Sequence, residues 1–326
     1  MSTMPDDRCD AASDAGDILL LDLLSRLKAS GYRFVTPTPA THGRVLARRD
    51  RRIGRTTRDL LGWSLPVARD EVEPAILAAL ESLDLVERRG AFVRSLLRVS
   101  SLDGDLYCHS AYPTTAEDAV FFGPDSYRFT ALIRTELDAM RPASGAHIVD
   151  VGTGAGVGAV AAARRCPGAR ITMTDINPRA LRYAAINVAA AGVDAAAVLG
   201  SDLGGIGDPI DVILANPPYI VDPSGRDYRD GGGMHGAAVA LDMARMAIAR
   251  LAPGGRLILY TGSAIIDGAD PFGDELGALA GRTGSQLRYR ELDPDVFGEE
   301  LSGVAYADVE RIAVVAAIVE RPGRNA

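Results

Sequence analysis

The stretch HIVDVGTGAGVGAVAAA, residues 147–163, decides the fold of this chain. An apolar run ends at Asp150 and leads into Gly152, Gly154 and Gly156, which precede an alanine-rich segment. Glycines allow a tight turn and let a ligand approach the first turn of the following helix closely. The pattern predicts a buried strand, a ligand-binding turn and a helix, although such turns serve several classes of ligand.

Two further acidic residues follow strand-like segments downstream, Asp175 at the end of RITMTD and Asp202 at the end of AAAVLGSD. With Asp150 they predict three carboxylates at consecutive strand ends, the edge at which open α/β sheets bind ligands. Asp175 can accept hydrogen bonds from both hydroxyls of a ribose, and Asp202 is suitably placed for an adenine amino group. A carboxylate at Asp150 suits a cationic amino-acid group better than a pyrophosphate.

The fourth strand-like segment, IDVILA at 210–215, stops at the sequence NPPY. Proline cannot donate to a sheet ladder, so the strand ends there. The side-chain oxygen of Asn216 and the backbone oxygen of Pro217 can both accept hydrogen bonds from a planar NH2 group. Pro218 would stiffen the turn and Tyr219 would offer an aromatic face to a flat substrate. We therefore predict a catalytic corner that holds a nitrogen nucleophile.

The part of the chain from His147 onward predicts an α/β fold. Strand-like and helical segments alternate with short loops, which is typical of a parallel sheet with helices on both faces. QLRYRELD at 286–293 and RIAVVAAIVERP at 311–322 have no clear helix between them. The expected architecture is a Rossmann-like, seven-stranded, mostly parallel sheet that ends in an antiparallel hairpin.

The preceding part predicts a smaller α+β domain. The first 16 residues are polar and Asp-rich, and we expect a disordered tail. The segment from Asp17 to Tyr32 has helical apolar spacing, with Asp17 as its cap and Gly31 as its stop. Two more helices are expected at 56–63 and 70–90, followed by strands at 91–110 that turn at Asp103–Gly104. We predict a winged-helix-like domain over 17–112 and a second domain over 113–326.

Composition narrows the class of protein. The chain has a net charge of −8 and three cysteines without a CxxC pair, so we expect neither a metal site nor disulfides. The sequence shows neither a secretory signal nor a long apolar run, and we expect a cytoplasmic protein with no membrane partner. One segment, Arg44–Arg58, holds seven arginines and one aspartate. It can contact phosphates, or it can be a solvated or interdomain surface.

The motifs DVGTGAG, TDIN, GSDL and NPPYI occur in this order and resemble the class I S-adenosylmethionine-dependent methyltransferases that methylate amino nitrogens. The segment from Tyr228 to Gly262 is similar to the one that follows NPPY in release factor glutamine N5-methyltransferases. The resemblance covers roughly residues 121–262. It implies an enzyme that transfers a methyl group from S-adenosylmethionine to a planar amide or amine nitrogen held by NPPY.

The resemblance also implies a set of cofactor-binding residues: Asp150, Gly152, Thr153, Gly154, Gly156, Asp175, Ile176, Asn177, Ser201, Asp202 and Asn216. The N-terminal half departs from the release factor enzymes, as does the segment FFGPDSYRFT at 121–130. Its aromatic residues Phe122, Tyr127 and Phe129 either cover the cofactor and substrate or pack between domains. His235 lies in a loop, and the sequence is compatible either with contact with the substrate or with simple solvation of the imidazole.

The methyl acceptor and the oligomeric state stay open at this stage. A protein glutamine, a nucleobase and a small-molecule amine all present a planar nitrogen. Two other classes of protein compete with the leading interpretation. One is an NAD-dependent oxidoreductase that uses the glycine turn. The other is a DNA-binding regulator that uses a methyltransferase-like domain as a sensor.

Overall fold

Residues 7–48, 50, 52–201, 203–222, 225–226 and 228–323 are described by a computed structural model of the chain. The chain divides into two compact units. The first comprises the residues up to Thr115 together with Ala119–Asp125 and Ala185–Val193. The second comprises Ala116–Asp118, Ser126–Ala184 and the residues from Asp194 onward.

The first unit contains four helices and five strands within its described residues. The helices are α1 (Asp7–Ala29), α2 (Pro39–Leu46), α3 (Thr57–Leu61) and α4 (Pro74–Ser82). The strands are β1 (Val67–Ala68), β2 (Val86–Arg89), β3 (Phe92–Ser95), β4 (Leu97–Leu102) and β5 (Asp105–Ser110). Antiparallel pairing gives a three-stranded sheet in the order β1-β3-β2, and β4 and β5 form a separate hairpin.

The hairpin turn is as predicted, because Leu102 pairs with Asp105 across Asp103 and Gly104, which both take positive φ. Three other predictions for this unit are wrong. Helix α1 begins at Asp7, so Asp17 is not its cap and residues 7–16 are helical rather than disordered; the first six lie outside the described residues. The expected helix at 70–90 ends at Ser82, because Val86–Arg89 pairs with β3 instead. The strand run divides at Leu96 into two different sheets.

The second unit is built on the predicted seven-stranded sheet. Its strands are β6 (His147–Val151), β7 (Arg170–Asp175), β8 (Ala196–Leu199), β9 (Ile210–Ala215), β10 (Leu251–Ile265), β11 (Gln286–Asp293) and β12 (Arg311–Glu320). The order across the sheet is β11-β12-β10-β9-β6-β7-β8. The five strands from β6 to β10 run parallel, and β12 pairs antiparallel with both β10 and β11. The prediction of a parallel sheet with an antiparallel C-terminal hairpin is confirmed.

The helices of this sheet are α5 (Pro124–Met140), α6 (Val157–Arg165), α7 (Pro178–Ala190), α8 (Ala238–Arg250) and α9 (Pro271–Thr283). Strand β12 is an unbroken apolar run, buried from Ile312 to Val319, as expected for a strand covered on both faces. Helices α5 and α9 were not anticipated from the sequence. No helix in the described ranges has the length and apolar content needed to cross a bilayer.

Candidate active site

Strand register brings four residues together at the carboxyl edge of the sheet: Gly152, Asp175, Asn216 and Tyr260. Val151 pairs with Ala215 on one side and with Thr174 on the other. Gly152 therefore leaves the sheet between Asn216 and Asp175, since each follows a paired residue in a parallel strand. Ala215 also pairs with Leu259, which puts Tyr260 on the far side of Asn216. The glycine turn, the acid and the NPPY corner share one edge, as the sequence predicted.

The glycine turn bends toward β7 through two backbone donors. The N–H of Thr153 donates to the carbonyl oxygen of Thr174 at 2.9 Å, and the N–H of Gly154 donates to Oδ2 of Asp175 at 2.9 Å. Gly154 has a φ of +55°, and a Cβ at this position would point into space that holds only one atom, a backbone oxygen 4.0 Å away. The turn therefore presents bare backbone to an open space, which is what a closely bound ligand requires.

Asp150 faces inward rather than into the open space. Its side chain is 2% exposed, and Oδ2 accepts from the Thr153 hydroxyl at 2.6 Å and from the N–H of Ala159 at 3.0 Å. A Cβ on Gly158 would lie 2.4 Å from Oδ1 of Asp150, so this glycine, absent from the predicted set, makes room for the carboxyl group. Burial raises the pKa of Asp150 to about 7, and the two hydrogen bonds oppose that rise. Asp150 thus fixes the start of α6 and the shape of the turn.

Asp175 is largely buried at the rim of the same space. Besides Gly154 it accepts a hydrogen bond from the N–H of Asn177 at 2.9 Å through Oδ1. Asn177 in turn donates to the carbonyl oxygen of Asp118, and Ile176 beside it is 51% exposed. An exposed isoleucine next to a carboxylate can cover one face of a flat ring while the acid receives hydroxyl donors. Of the remaining predicted residues, Ser201 is exposed and Asp202 lies outside the described residues.

The NPPY corner follows β9 directly, as predicted. Asn216 is half-buried, and its side chain makes no hydrogen bond to any described residue. Pro217 is buried and Pro218 half-buried. Tyr219 is only 7% exposed, its ring contacts Phe297 edge-on with centroids 5.7 Å apart, and it lies against Gly262. The ring is thus part of a packed wall rather than an open platform.

The loop after NPPY is held by a glycine-rich segment, 231–236. The N–H of Gly231 donates to the carbonyl oxygen of Ile220 at 2.8 Å. A Cβ on Gly236 would lie 2.4 Å from the carbonyl oxygen of Tyr219, and one on Gly231 would lie 2.7 Å from the Cα of Tyr219. Only glycine allows two backbone segments to approach this closely, which explains the glycines at 231 and 236.

The connection between β11 and β12 also contacts this loop, and sequence reasoning missed it. It contains two short 3₁₀ helices, Gly298–Ser302 and Val304–Tyr306. The hydroxyl of buried Tyr306 accepts from the N–H of Val221 at 2.8 Å and donates to the carbonyl oxygen of His235 at 3.4 Å. Glu300 pairs with Arg229. An aromatic residue in a polar loop is the one signal of this contact in the sequence, because the two segments lie about 85 residues apart.

Ion pairs fix the same region further. Asp222 accepts from Nε of Arg226 at 2.6 Å and from its Nη2 at 2.7 Å. This pair holds the backbone at Asp222, three residues after the NPPY motif, in place, since a bidentate contact restricts both partners. His235 contacts Asp308 through Nε2 at 3.0 Å, so the imidazole has a protein partner rather than simple solvation.

The three aromatic residues of segment 121–130 that were predicted to cover the ligands or to pack between domains have different surroundings. Phe122 is 2% exposed and stacks on His109 with centroids 5.0 Å apart, within the core of the first unit. Phe129 is buried on α5, 6.1 Å from the ring of Tyr260, the residue that neighbours Asn216 at the sheet edge. Tyr127 is half-buried. Phe129 is therefore the member of this group that lies next to Tyr260 in the second unit.

A parallel sheet with a glycine turn after its first strand, an acid after the second and an Asn-Pro-Pro-Tyr corner after the fourth defines a class I methyltransferase. Residues 128–265 match the family model of the methyltransferase small domain. The chain is similar to release factor glutamine methyltransferase of Deinococcus radiodurans, with 31% identity over 250 residues, 74% of this chain and 84% of that protein.

Two other similarities are narrower. Ribosomal RNA small subunit methyltransferase C of Pseudomonas aeruginosa is 31% identical over 137 residues, 42% of this chain and 37% of that protein. The structural alignment with a methyltransferase from Pyrococcus furiosus covers 63% of this chain and 89% of that chain, at 17% sequence identity and a TM-score of 0.43.

The chain belongs to the class I S-adenosylmethionine-dependent methyltransferases related to the release factor glutamine methyltransferases. It is an N-methyltransferase that uses S-adenosylmethionine and methylates a planar amide or amine nitrogen.

Proposed function

We propose that the NPPY corner holds the acceptor nitrogen and that the glycine turn and Asp175 hold the cofactor. The observation that carries this proposal is the register of β6 and β9, in which Val151 pairs with Ala215. Gly152 and Asn216 consequently leave the sheet as neighbours. A methyl donor at the turn and a nitrogen at the corner then lie within reach of a direct transfer.

The residues of the turn fit the methionine and ribose parts of S-adenosylmethionine. The open space at Gly154 admits a ligand against the backbone, and Asp175 at its rim can accept from ribose hydroxyls. Ile176 would contact the adenine ring. Asp150 acts by shaping the turn, since its carboxyl group already accepts from Thr153 and Ala159. When bound, the cofactor supplies a methyl group activated by its sulfonium centre.

The corner orients the acceptor without a strong base. The side-chain oxygen of Asn216 and the carbonyl oxygen of Pro217 accept the two protons of a planar NH2 group. This arrangement turns the developing lone pair of the nitrogen toward the methyl donor, and a proton leaves after the new N–C bond has formed. The proline pair fixes both acceptors, because φ of each proline is restricted.

The acceptor we propose is a component of translation. The two curated relatives named above act, by their names, on a release factor and on ribosomal RNA of the small subunit. A glutamine side chain and a nucleobase amine both offer the planar nitrogen that the corner fits. This acceptor agrees with a cytoplasmic enzyme. We also propose that residues 17–112 are a winged-helix-like domain and residues 113–326 the catalytic domain, which the division into two compact units supports.

Replacement of Asn216 tests the proposed role. In Asn216→Ala, transfer of a tritiated methyl group into fractionated lysate should fall by about 10² to 10³-fold, because an orienting group is lost from the transition state. Binding of S-adenosylhomocysteine, measured by calorimetry, should change less than about threefold. Asn216→Asp keeps the size and one acceptor oxygen and should retain more activity than alanine. Wild-type turnover in folded Asn216→Ala would exclude the role.

A further inference from the structure

Residues 17–115 are basic, whereas the segments before and after them are acidic. Residues 17–115 carry 15 basic and 12 acidic side chains, a net charge of +3. Residues 116–326 carry 19 basic and 27 acidic side chains, a net charge of −8. Such segregation attracts anions to one part of a protein and not to the other. Residues 17–115 are therefore the part of the chain suited to an anionic ligand.

Five exposed arginines between residues 44 and 58 contribute to this charge. Five guanidinium groups make neither an ion pair nor a side-chain hydrogen bond with any residue that the structure describes: Arg44, Arg48, Arg52, Arg55 and Arg58. Asp59, at the end of the same segment, accepts instead from the backbone N–H groups of Arg55 at 3.1 Å and Thr56 at 3.2 Å. The carboxylate thus caps α3 and leaves the guanidinium groups free to bind an external anion.

One of these arginines lines a cleft of about 370 Å³ within the first unit. Arg52 shares the lining with Arg89, Arg94 and a single acid, Glu87. Glu87 pairs with Arg89 at 2.8 Å and lies 3.7 Å from Arg94. Arg94 is fixed in the wall by hydrogen bonds to two backbone carbonyl oxygens. Three guanidinium groups and one carboxylate give the lining a net charge of +2.

Aromatic side chains form another part of the lining. Phe92 is half-buried in the wall, and Tyr112 is held beside it by His42, with ring centroids 4.1 Å apart. Leu46 and Pro66 add apolar surface. Rings within a positively charged cleft are the arrangement that binds single-stranded nucleic acid, because bases stack on the rings while phosphates contact the arginines. A cleft of this volume takes about one nucleotide and excludes a duplex.

We propose that this cleft binds a single-stranded segment of RNA. Glu87 favours RNA over DNA, because its carboxylate can accept a hydrogen bond from a 2′-hydroxyl group, which DNA lacks. An acidic protein would satisfy the arginines but supplies no bases for Phe92 and Tyr112. The binding stands independently of methyl transfer. That the acceptor nitrogen belongs to the bound RNA rests on the proposed function.

Binding of a fluorescein-labelled, unstructured RNA 12-mer to the full chain tests the proposal, by anisotropy without cofactor at 50 and 200 mM KCl. We expect affinity to fall about tenfold between the two salt concentrations, as for two or three phosphate contacts. The double variant Arg52→Ala/Arg89→Ala should bind about tenfold more weakly with a smaller salt dependence. Phe92→Leu, which keeps the wall apolar, should weaken binding about fivefold with the salt dependence unchanged.

Arg88→Ala is the matched control, because Arg88 points to the opposite face of β2 from Glu87 and Arg89. It removes one positive charge, against two in the double variant, and should change affinity less than twofold. Glu87→Gln should narrow the preference for RNA over a DNA 12-mer of the same sequence. The proposal would be overturned if Arg88→Ala lost as much affinity for RNA as the double variant does. It would also be overturned if the wild-type protein bound a DNA 12-mer or a glutamate 12-mer as tightly as the RNA, or if it bound no RNA detectably.

Methyl transfer distinguishes the two proposals. If the bound RNA carries the acceptor, Arg52→Ala/Arg89→Ala should raise KM for labelled RNA about tenfold and leave kcat within twofold. Label that enters only protein, with RNA binding intact, would refute RNA as the acceptor and leave the cleft as an RNA site. Loss of methylation in Asn216→Ala with unchanged RNA binding would support the role of the NPPY corner and the independence of the RNA site from it.

Discussion

Gly262→Ala should displace Tyr219 and impair the acceptor site while leaving the cofactor site intact. A Cβ on Gly262 would lie 2.2 Å from Cδ2 of the Tyr219 ring and 2.7 Å from Cε2. Carbon atoms in ordinary contact are about 3.5 Å apart, so the ring must move by about 1.3 Å. Phe297 contacts the ring edge-on at 5.7 Å between centroids, and the ring is 7% exposed, so it has little room to move.

The displacement gives the expected magnitudes. A shift of about 1 Å in a positioning group costs about 10²-fold in rate, so kcat/KM for the acceptor should fall by about that factor. Overpacking should lower the free energy of unfolding by about 1–3 kcal/mol. The Kd for S-adenosylhomocysteine should stay within about twofold, since the glycine turn does not contain Gly262. Steady-state methyl transfer, calorimetry and urea unfolding measure the three quantities.

Gly277→Ala is the matched control, because a Cβ at this position within α9 meets no atom within 4 Å. It should leave activity unchanged and stabilise the protein by about 0.5–1 kcal/mol. In a Tyr219→Ala background, Gly262→Ala should have no further effect on kcat/KM, since no ring remains to be displaced. Full additivity of the two changes, or wild-type kcat/KM in folded Gly262→Ala, would refute the reasoning.

Three other outcomes follow from single contacts. Tyr306→Phe removes the hydroxyl that contacts Val221 and His235. KM for the acceptor should therefore rise about fivefold in initial-rate assays, while kcat and the Kd for S-adenosylhomocysteine stay unchanged. An unchanged KM would contradict this role. Burial raises the pKa of Asp150 to about 7 from 3.8, so the folded state binds the extra proton and stability falls as the pH rises from about 4 to 7. Relative to Asp150→Asn, wild type should lose up to about 4 kcal/mol across this window in urea unfolding, and parallel curves for the two proteins would refute the raised pKa. Burial beside Arg98 lowers the pKa of His42 to about 4 from 6.5, so the contribution of neutral His42 to stability is present above pH 6.5 and is lost as the pH falls toward 4. In His42→Gln the free energy of unfolding should therefore fall less steeply between pH 6.5 and 4 in the same assay. An identical dependence in the two proteins would show that His42 does not titrate in this range.

The sequence by itself determined the catalytic unit. Glycines, prolines and strand-end acids act locally, because each constrains the backbone where it stands. Asp150, Asp175 and Asn216 could thus be assigned to one sheet edge before any contact was known. The apolar run of β12 likewise marked a strand buried on both faces. Local rules were weaker in the first unit, where the helical apolar spacing of 70–90 concealed a strand that forms only by pairing with β3.

Only the tertiary structure decided how the corner is supported. Tyr306 and Phe297 contact the NPPY loop from a segment that lies more than 70 residues away in the chain. Gly262 and Gly236 are required by the close approach of Tyr219, and the inward orientation of Asp150 depends on the space left at Gly158. Likewise, Arg52 and Phe92 line one cleft although 40 residues separate them. Such contacts leave no local pattern, because they depend on which distant side chain fills the remaining space once the sheet has formed.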